Sequence, residues 1–329
     1  MKRLAVIGGG AWGTALAIAA ARAGARPVLW ARDKAIVAAI EERHENPAYL
    51  PGIALDPAIA VTADAAAAVE GAEGVLLAVP AQFLRGVLSA LVPYLRQTQP
   101  LLLCAKGIET ASLKTMSELA AEIAPAAAVA VLSGPSFATE VARGLPTAVV
   151  IASHDSALAE AFAAALGTAQ FRPYVSADPV GVEIGGAVKN VLAIACGIVE
   201  GMRLGDNARA ALITRGLAEL VRLGLAKGGQ ADTFRGLSGL GDLVLTCSAA
   251  QSRNYALGLA LGRGEDLRQA LAGRRGVVEG VATAAALREL AARLAVEMPI
   301  CDGVDAVLHR GAALGDTVER LLSRPFRAE

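Results

Sequence analysis

Apolar residues come in short continuous runs along the first half of the chain. The first is Leu4–Gly8, and others lie at 26–32, 74–80, 100–107, 127–135, 146–153 and 171–177. Several lack polar alternation, which predicts strands buried on both faces. Helical stretches lie between them at 12–23, 34–43, 82–92 and 111–124. Strands alternating with helices predict a doubly wound, largely parallel sheet covered on both sides. The pattern changes after Asp178. Asp178 followed by Pro179 is a helix start, an N-cap and then proline at the first helical position. From there to the end, helix-like blocks follow at 179–200, 207–227, 240–247, 253–261, 280–294 and 302–311, with no strand pattern. The expected architecture is an α/β domain over residues 1–180 and an all-helical domain over 181–329.

Composition agrees with a folded two-domain chain and narrows its partners. The 329 residues are 54% hydrophobic and 19% charged, with a formal net charge of zero. That excludes a mostly disordered chain and gives no bulk basic signal for nucleic acid. Cys104, Cys196, Cys247 and Cys301 are scattered without a C-x-x-C pair. They predict reduced thiols in a cytoplasmic protein, with neither a metal site nor a disulfide framework. His44, His154 and His309 lie far from the glycine-rich motifs, so histidine is a poor first candidate for acid–base work. The N-terminus, "MKR" and then a long uncharged run, has the look of a signal or spanning segment. Four glycines within it favour a tight turn instead. Elsewhere charged or turn-forming residues are expected to keep apolar runs too short to span a membrane.

Those glycines carry the first chemical signal. "GGGAWG" contains G-x-G-x-x-G as Gly8, Gly10 and Gly13, after a strand and at the start of a helix. In that context Gly8 permits the tight turn, Gly10 admits a pyrophosphate, and Gly13 lets helix and strand pack closely. The amides around Ala11 and Trp12 then face the phosphates. The second strand ends in "WARD". Asp33 has the spacing of a ribose-binding acid, whereas the guanidinium of Arg32 suits a 2′-phosphate. The expectation is NADPH, with NADH accepted; a solvated Arg32 is the competing reading.

The second signal is "GGAVKNVLAIACG", residues 185–197. Lys189 and Asn190 stand on a helix whose adjacent turn supplies Gly185 and Gly186, so they project over a shallow trough. Two readings are open on periodicity alone. Either another helix fills the trough and Lys189 snorkels to water, or the lysine faces a small substrate. Asp242, in "GLSGLGDLVLTC", is either a helix cap or a partner for that lysine. Ser252, Arg253 and Asn254 begin a predicted helix and offer donors for a phosphate; a plain Ser252 cap with a solvated arginine competes. Lys106 and the "SGPS" of 133–136 follow parallel strands, where ligands of such sheets bind. Ordinary turns would look the same.

Eight blocks taken together, "GGGAWGTALA", "AKGIE", "SGPSFATEVARGLPTAV", "GGAVKNVLAI", "NARAALITRGLAE", "GLSGLGDLVLTC", "QSRNYALG" and "VVEG…VEMPI", resemble the bacterial NAD(P)-dependent glycerol-3-phosphate dehydrogenases. The resemblance runs in order from residue 4 to about 300. It implies a Rossmann domain and a helical domain of the 6-phosphogluconate dehydrogenase type. It also implies interconversion of dihydroxyacetone phosphate and sn-glycerol 3-phosphate with NAD(P)H, feeding phospholipid synthesis. By position, the resemblance makes Lys189 the proton acceptor. It makes Lys106, Gly134, Ser136, Asp242, Ser252, Arg253 and Asn254 substrate residues, and Asn190 accompanies them. Trp12, Arg32, Lys106, Ala138, Arg253, Val277 and Glu279 fall on cofactor positions. A homodimer is expected. Two rivals share parts of this plan: a β-hydroxy-acid dehydrogenase, whose substrate carries a carboxylate, and a dinucleotide sensor without turnover.

Overall fold

The apolar runs of the first half pair side by side in an eight-stranded sheet. The computed structural model describes residues 1–273 and 276–325. Its strands, in chain order, are β1 (Arg3–Ile7), β2 (Arg26–Trp30), β3 (Glu45–Asn46), β4 (Leu50–Ala54), β5 (Ala60–Thr62), β6 (Gly74–Leu77), β7 (Leu101–Leu103), β8 (Val129–Ser133), β9 (Thr147–Ala152) and β10 (Phe171–Ser176). The sheet order is β10-β9-β8-β7-β6-β1-β2-β5, and β3 with β4 forms a separate antiparallel hairpin. All neighbours in the large sheet are parallel except β8 and β9. The strand order reverses direction between β1 and β6, where such sheets open a crevice beyond the strand ends. This is the expected Rossmann arrangement.

Helices α1 (Ala11–Arg22), α2 (Lys34–Arg43), α3 (Ala65–Val69), α4 (Leu84–Leu91), α5 (Met116–Ile123), α6 (Ala138–Arg143) and α7 (Ser156–Leu166) connect the strands. Two apolar clusters result, one on each face of the sheet. The N-terminal run is therefore a core strand, a turn and a core helix: Leu4 to Ile7 and Ala15 to Leu16 are fully buried. Sequence periodicity placed a helix over 111–124, whereas α5 starts at Met116. Thr115 caps it and Glu118 completes a capping box. The residues before it form a loop whose Ile108 and Leu113 are buried among the later helices rather than against the sheet. Leu113 takes a left-handed φ of 62° to get there.

Beyond β10 no strand occurs among the described residues. The helices are α8 (Pro179–Gly201), α9 (Asp206–Ala226), α10 (Ala231–Arg235), α11 (Asp242–Ser248), α12 (Arg253–Gly262), α13 (Leu267–Leu271), α14 (Glu279–Arg293), α15 (Pro299–His309) and α16 (Leu314–Leu322). Asp178 caps α8 as expected, accepting from the Gly181 amide at 2.8 Å with Pro179 at the first position. The same carboxylate also accepts from the Gln230 amide and the Thr233 hydroxyl, so one buried side chain joins two segments.

Helix α8 corrects one expectation: it is long and apolar enough to cross a membrane, yet it is enclosed by the rest of the protein. Its partner α12 lies at backbone contact. A Cβ on Gly197 would stand 2.1 Å from the Tyr255 carbonyl oxygen, and one on Gly258 would stand 2.0 Å from that of Ile194. Only glycine allows an approach that close.

Candidate active site

Helix α8 brings Lys189 and Asn190 to the carboxyl ends of the sheet strands, where β7 and β8 deliver Lys106 and Gly134. The Lys189 ammonium is nearly enclosed, with 7% of the residue exposed. It donates to Asp242 Oδ1 and to Thr246 Oγ1, both at 2.8 Å. Asp242 is the first residue of α11 and does not cap it. Its second oxygen, Oδ2, accepts from Lys106 Nζ at 2.8 Å, and Lys106 also donates to the Gly134 carbonyl at 2.8 Å. One carboxylate thus holds an ammonium from each half of the chain. Snorkelling and simple capping are both excluded for this pair.

Burial sets the electrostatics. Desolvation pulls the Lys189 pKa down, Asp242 opposes it and Lys106 adds to it, and the result is about 8. For Asp242, burial pushes upward, but the two ammonium groups outweigh it and hold the carboxyl below its ordinary range. The trio carries a net charge of one positive. Thr246 is the residue that sequence reasoning missed; it stands one helical turn after Asp242, on the same face, which is the signal that could have found it.

The glycines beside Lys189 serve a different purpose from the expected one. A Cβ at Gly185 would meet the Ser238 carbonyl oxygen at 2.4 Å, and one at Gly186 would meet Ser133 Oγ at 2.6 Å and Lys106 Cγ at 3.3 Å. They clear room for a π-helical turn over Leu237–Gly241 and for Lys106, not for a substrate directly. Asn190 donates to the Lys106 and Gly186 carbonyls at 3.2 and 3.3 Å. Its oxygen accepts from Asn254 at 2.9 Å, and Asn254 in turn accepts from the Gly280 amide at 2.9 Å. The start of α12 is thereby tied to α8. Ser252 caps that helix by accepting from Tyr255, as the simpler reading had it. Arg253, next in line, is exposed. Ser136 is partly buried and donates to the Gly134 carbonyl at 3.0 Å.

The glycine loop lies at the strand-order reversal. Gly8 has φ of 129°, and a Cβ there would stand 2.8 Å from the Ala78 carbonyl after β6. A Cβ on Gly13 would overlap the Gly8 carbonyl at 1.8 Å, so helix and strand pack in the way the motif requires. Around Gly10 there is open space, and no side chain caps α1. The first amides of α1 are left free for an anion, which fits a pyrophosphate. Trp12 is partly buried, and its indole N–H has no partner within the protein. Arg32 is exposed just beyond β2, and Asp33 spends its carboxylate capping α2 through the Ala35 amide.

Ala138 opens α6, and Val277 lies one residue before Val278, the N-cap of α14. Glu279, the first residue of α14, accepts from the Ala81 amide at 3.1 Å while its Oε2 has no partner. Burial raises its pKa to about 7, against the Ala81 amide and Arg253. The start of α14 thereby meets the segments that follow β6 and β7, where a Cβ on Gly107 would come within 2.7 Å of Ala81 Cβ and 3.5 Å of Glu279 Oε2. The arrangement can order a dinucleotide and hold an anionic substrate beside an ammonium that gives and takes protons near neutrality.

Known proteins match this plan over the whole chain. The family model for the N-terminus of NAD-dependent glycerol-3-phosphate dehydrogenase matches residues 3–159, and the model for its C-terminus matches residues 178–319. Glycerol-3-phosphate dehydrogenase [NAD(P)+] of Rhodospirillum rubrum is 58% identical, covering 100% of this chain and 94% of the relative. The Parvibaculum lavamentivorans enzyme of the same name is 54% identical, covering 100% and 98%. Among solved structures, glycerol-3-phosphate dehydrogenase from Coxiella burnetii superposes with a TM-score of 0.95 at 40% identity, covering 98% of this chain and 99% of that one.

Proposed function

The chain belongs to the NAD-dependent glycerol-3-phosphate dehydrogenase family, and we propose that it interconverts dihydroxyacetone phosphate and sn-glycerol 3-phosphate with NAD(P)H. The observation that carries the mechanism is the Lys189–Asp242–Lys106 bridge. A ketone reduction needs a proton on oxygen and a hydride on carbon. Bound NAD(P)H supplies the hydride. Lys189 donates the proton to the carbonyl oxygen and recovers it in the reverse direction. A pKa near 8 populates both of its forms at working pH, which an ordinary lysine at about 10.4 does not. Asp242 and Thr246 hold the ammonium in place. Lys106 adds positive charge beside it.

Residues 1–180 bind the cofactor and 181–329 complete the substrate site. The phosphate is held at the start of α12 by Arg253 with Ser252 and Asn254, while Gly134, Ser136 and Asn190 line the approach. Lys106, Lys189 and Arg253 against Asp242 leave two positive charges, matching a phosphate monoester of about −2. The dinucleotide is held by Gly8, Gly10, Ala11, Trp12 and Gly13, with Arg32, Lys106, Ala138, Arg253, Val277 and Glu279 completing its site. NADPH is the preferred form, because the Asp33 carboxylate is occupied by α2 while Arg32 is exposed. Four free thiols suit a cytoplasmic enzyme. Exposed Leu225, Leu240 and Val244 in the helical half suit a homodimer. In the cell the product supplies glycerophospholipid synthesis.

One assay tests the assignment. NADPH and NADH oxidation are followed with dihydroxyacetone phosphate, with a 3-keto acid, and with no addition. Turnover with the phosphate ester alone supports the proposal. Turnover with the acid alone reassigns the enzyme, and binding without turnover makes it a sensor.

A further inference from the structure

We infer that Asn46 is a positioning residue for the dinucleotide: its amide holds the glycine loop in the shape that presents the first amides of α1. This rests on the reading that the loop takes the pyrophosphate. Asn46 stands on the β3–β4 hairpin, outside the main sheet, and is fully buried. Its Nδ2 donates to the Gly9 carbonyl at 3.0 Å and to Thr14 Oγ1 at 2.9 Å. Its Oδ1 accepts from the Tyr49 amide at 3.3 Å. Both amide protons are therefore spent on the dinucleotide motif, one on the turn and one inside the first helix.

The loop needs such a hold. Gly9 is the middle of three consecutive glycines, the residues with the most backbone freedom to lose. Ordering them at the moment of binding would be subtracted from cofactor affinity. The hairpin can supply the hold because it is itself fixed. Leu50 is buried in the core cluster that includes α1, and the Leu55 amide donates to the His44 carbonyl at 2.7 Å. Gly9 also packs against the end of β2, where its own Cβ would come within 2.4 Å of Ala31 Cβ. Asn46 acts through Gly9 and Thr14, so its effect falls on cofactor binding and not on proton transfer by Lys189.

The test compares Asn46→Asp with Glu45→Ala. The first keeps volume but turns a double donor into an acceptor facing the Gly9 carbonyl. The second, Glu45→Ala, removes the oxygen that accepts from the Gly52 amide at 2.8 Å within the same hairpin, and leaves Asn46 alone. NADPH affinity is measured by nicotinamide fluorescence, with steady-state constants on protein whose folding is verified by circular dichroism. Asn46→Asp raises Kd and KM for NADPH at least about tenfold, with kcat and the KM for dihydroxyacetone phosphate within about twofold. Glu45→Ala leaves NADPH affinity unchanged. Equal affinity of Asn46→Asp and wild type overturns the inference, as does equal weakening by both variants. Failure of the wild type to bind NADPH would instead reject the reading of the loop. Should Asn46→Asp not fold, Thr14→Val removes one partner of the amide; it raises the NADPH Kd about threefold, and no rise overturns the inference.

Discussion

Replacing Asp242 by asparagine removes the anion shared by two lysines while keeping its shape. In the wild type, Asp242 is what resists the depression of Lys189, whose pKa rests at about 8. A charge-assisted hydrogen bond to a carboxylate is worth about 1.5–3 kcal/mol, and about 1.4 kcal/mol moves a pKa by one pH unit. Asp242→Asn therefore brings Lys189 down to about 6 to 7, with burial and Lys106 unopposed. Reduction requires the protonated lysine. At pH about 7 the protonated fraction falls from roughly nine-tenths to between a half and a tenth. The assay is kcat/KM for dihydroxyacetone phosphate reduction across pH, which reports the free enzyme's groups. The alkaline limb moves from about pH 8 to about 6–7, and the acid limb for glycerol 3-phosphate oxidation moves the same way. Loss of Lys106 anchoring lowers the plateau but cannot move the limb. A limb that stays at about 8, or rises, refutes Lys189 as the titrating group.

Three further outcomes follow from the same geometry. Lys189→Ala lowers turnover by about 10²–10⁴, the range of a lost general acid, while the NADPH Kd measured by fluorescence stays within about twofold; retained turnover rejects the role. Arg253→Ala raises the KM for dihydroxyacetone phosphate about ten- to a hundredfold in steady-state assays, and hardly alters that for unphosphorylated dihydroxyacetone. Gly197→Ala forces a Cβ onto the Tyr255 carbonyl and destabilises by about 1–3 kcal/mol or more in urea unfolding. Gly86→Ala on α4, where a Cβ meets nothing within 4 Å, is neutral or stabilising by up to about 1 kcal/mol; equal losses at both sites would reject close helix approach as the cause.

The main strands and the largely parallel sheet they build were legible because uninterrupted apolar runs record burial on both faces, and burial is a local requirement of each strand; their order in the sheet came from the structure. Short elements were not legible. The hairpin of β3 and β4, the three-residue β5 and helix α3 have too few positions to establish a period. The first residues of the stretch read as helix over 111–124 form a loop instead, and it and the residues just before it carry the buried Ile108 and Leu113. Their apolarity answers to the core of the helical half.

The site divides the same way. The resemblance supplied the residues of the reaction, and local pattern placed the glycine turn and the Asp178–Pro179 helix start, since both depend on neighbours within a few positions. That pattern left Lys189 between snorkelling and chemistry, and Asp242 between capping and pairing. Tertiary structure decided both, by bringing Lys189 and Lys106, 53 and 136 residues from Asp242, onto its two oxygens. It also gave Gly185 and Gly186 to backbone clearance and Asn46 to the glycine loop. Local pattern records which face of an element is buried. The partner a buried charge meets there is chosen by how distant elements pack, and at Lys189 that choice sets the proton affinity on which the chemistry depends.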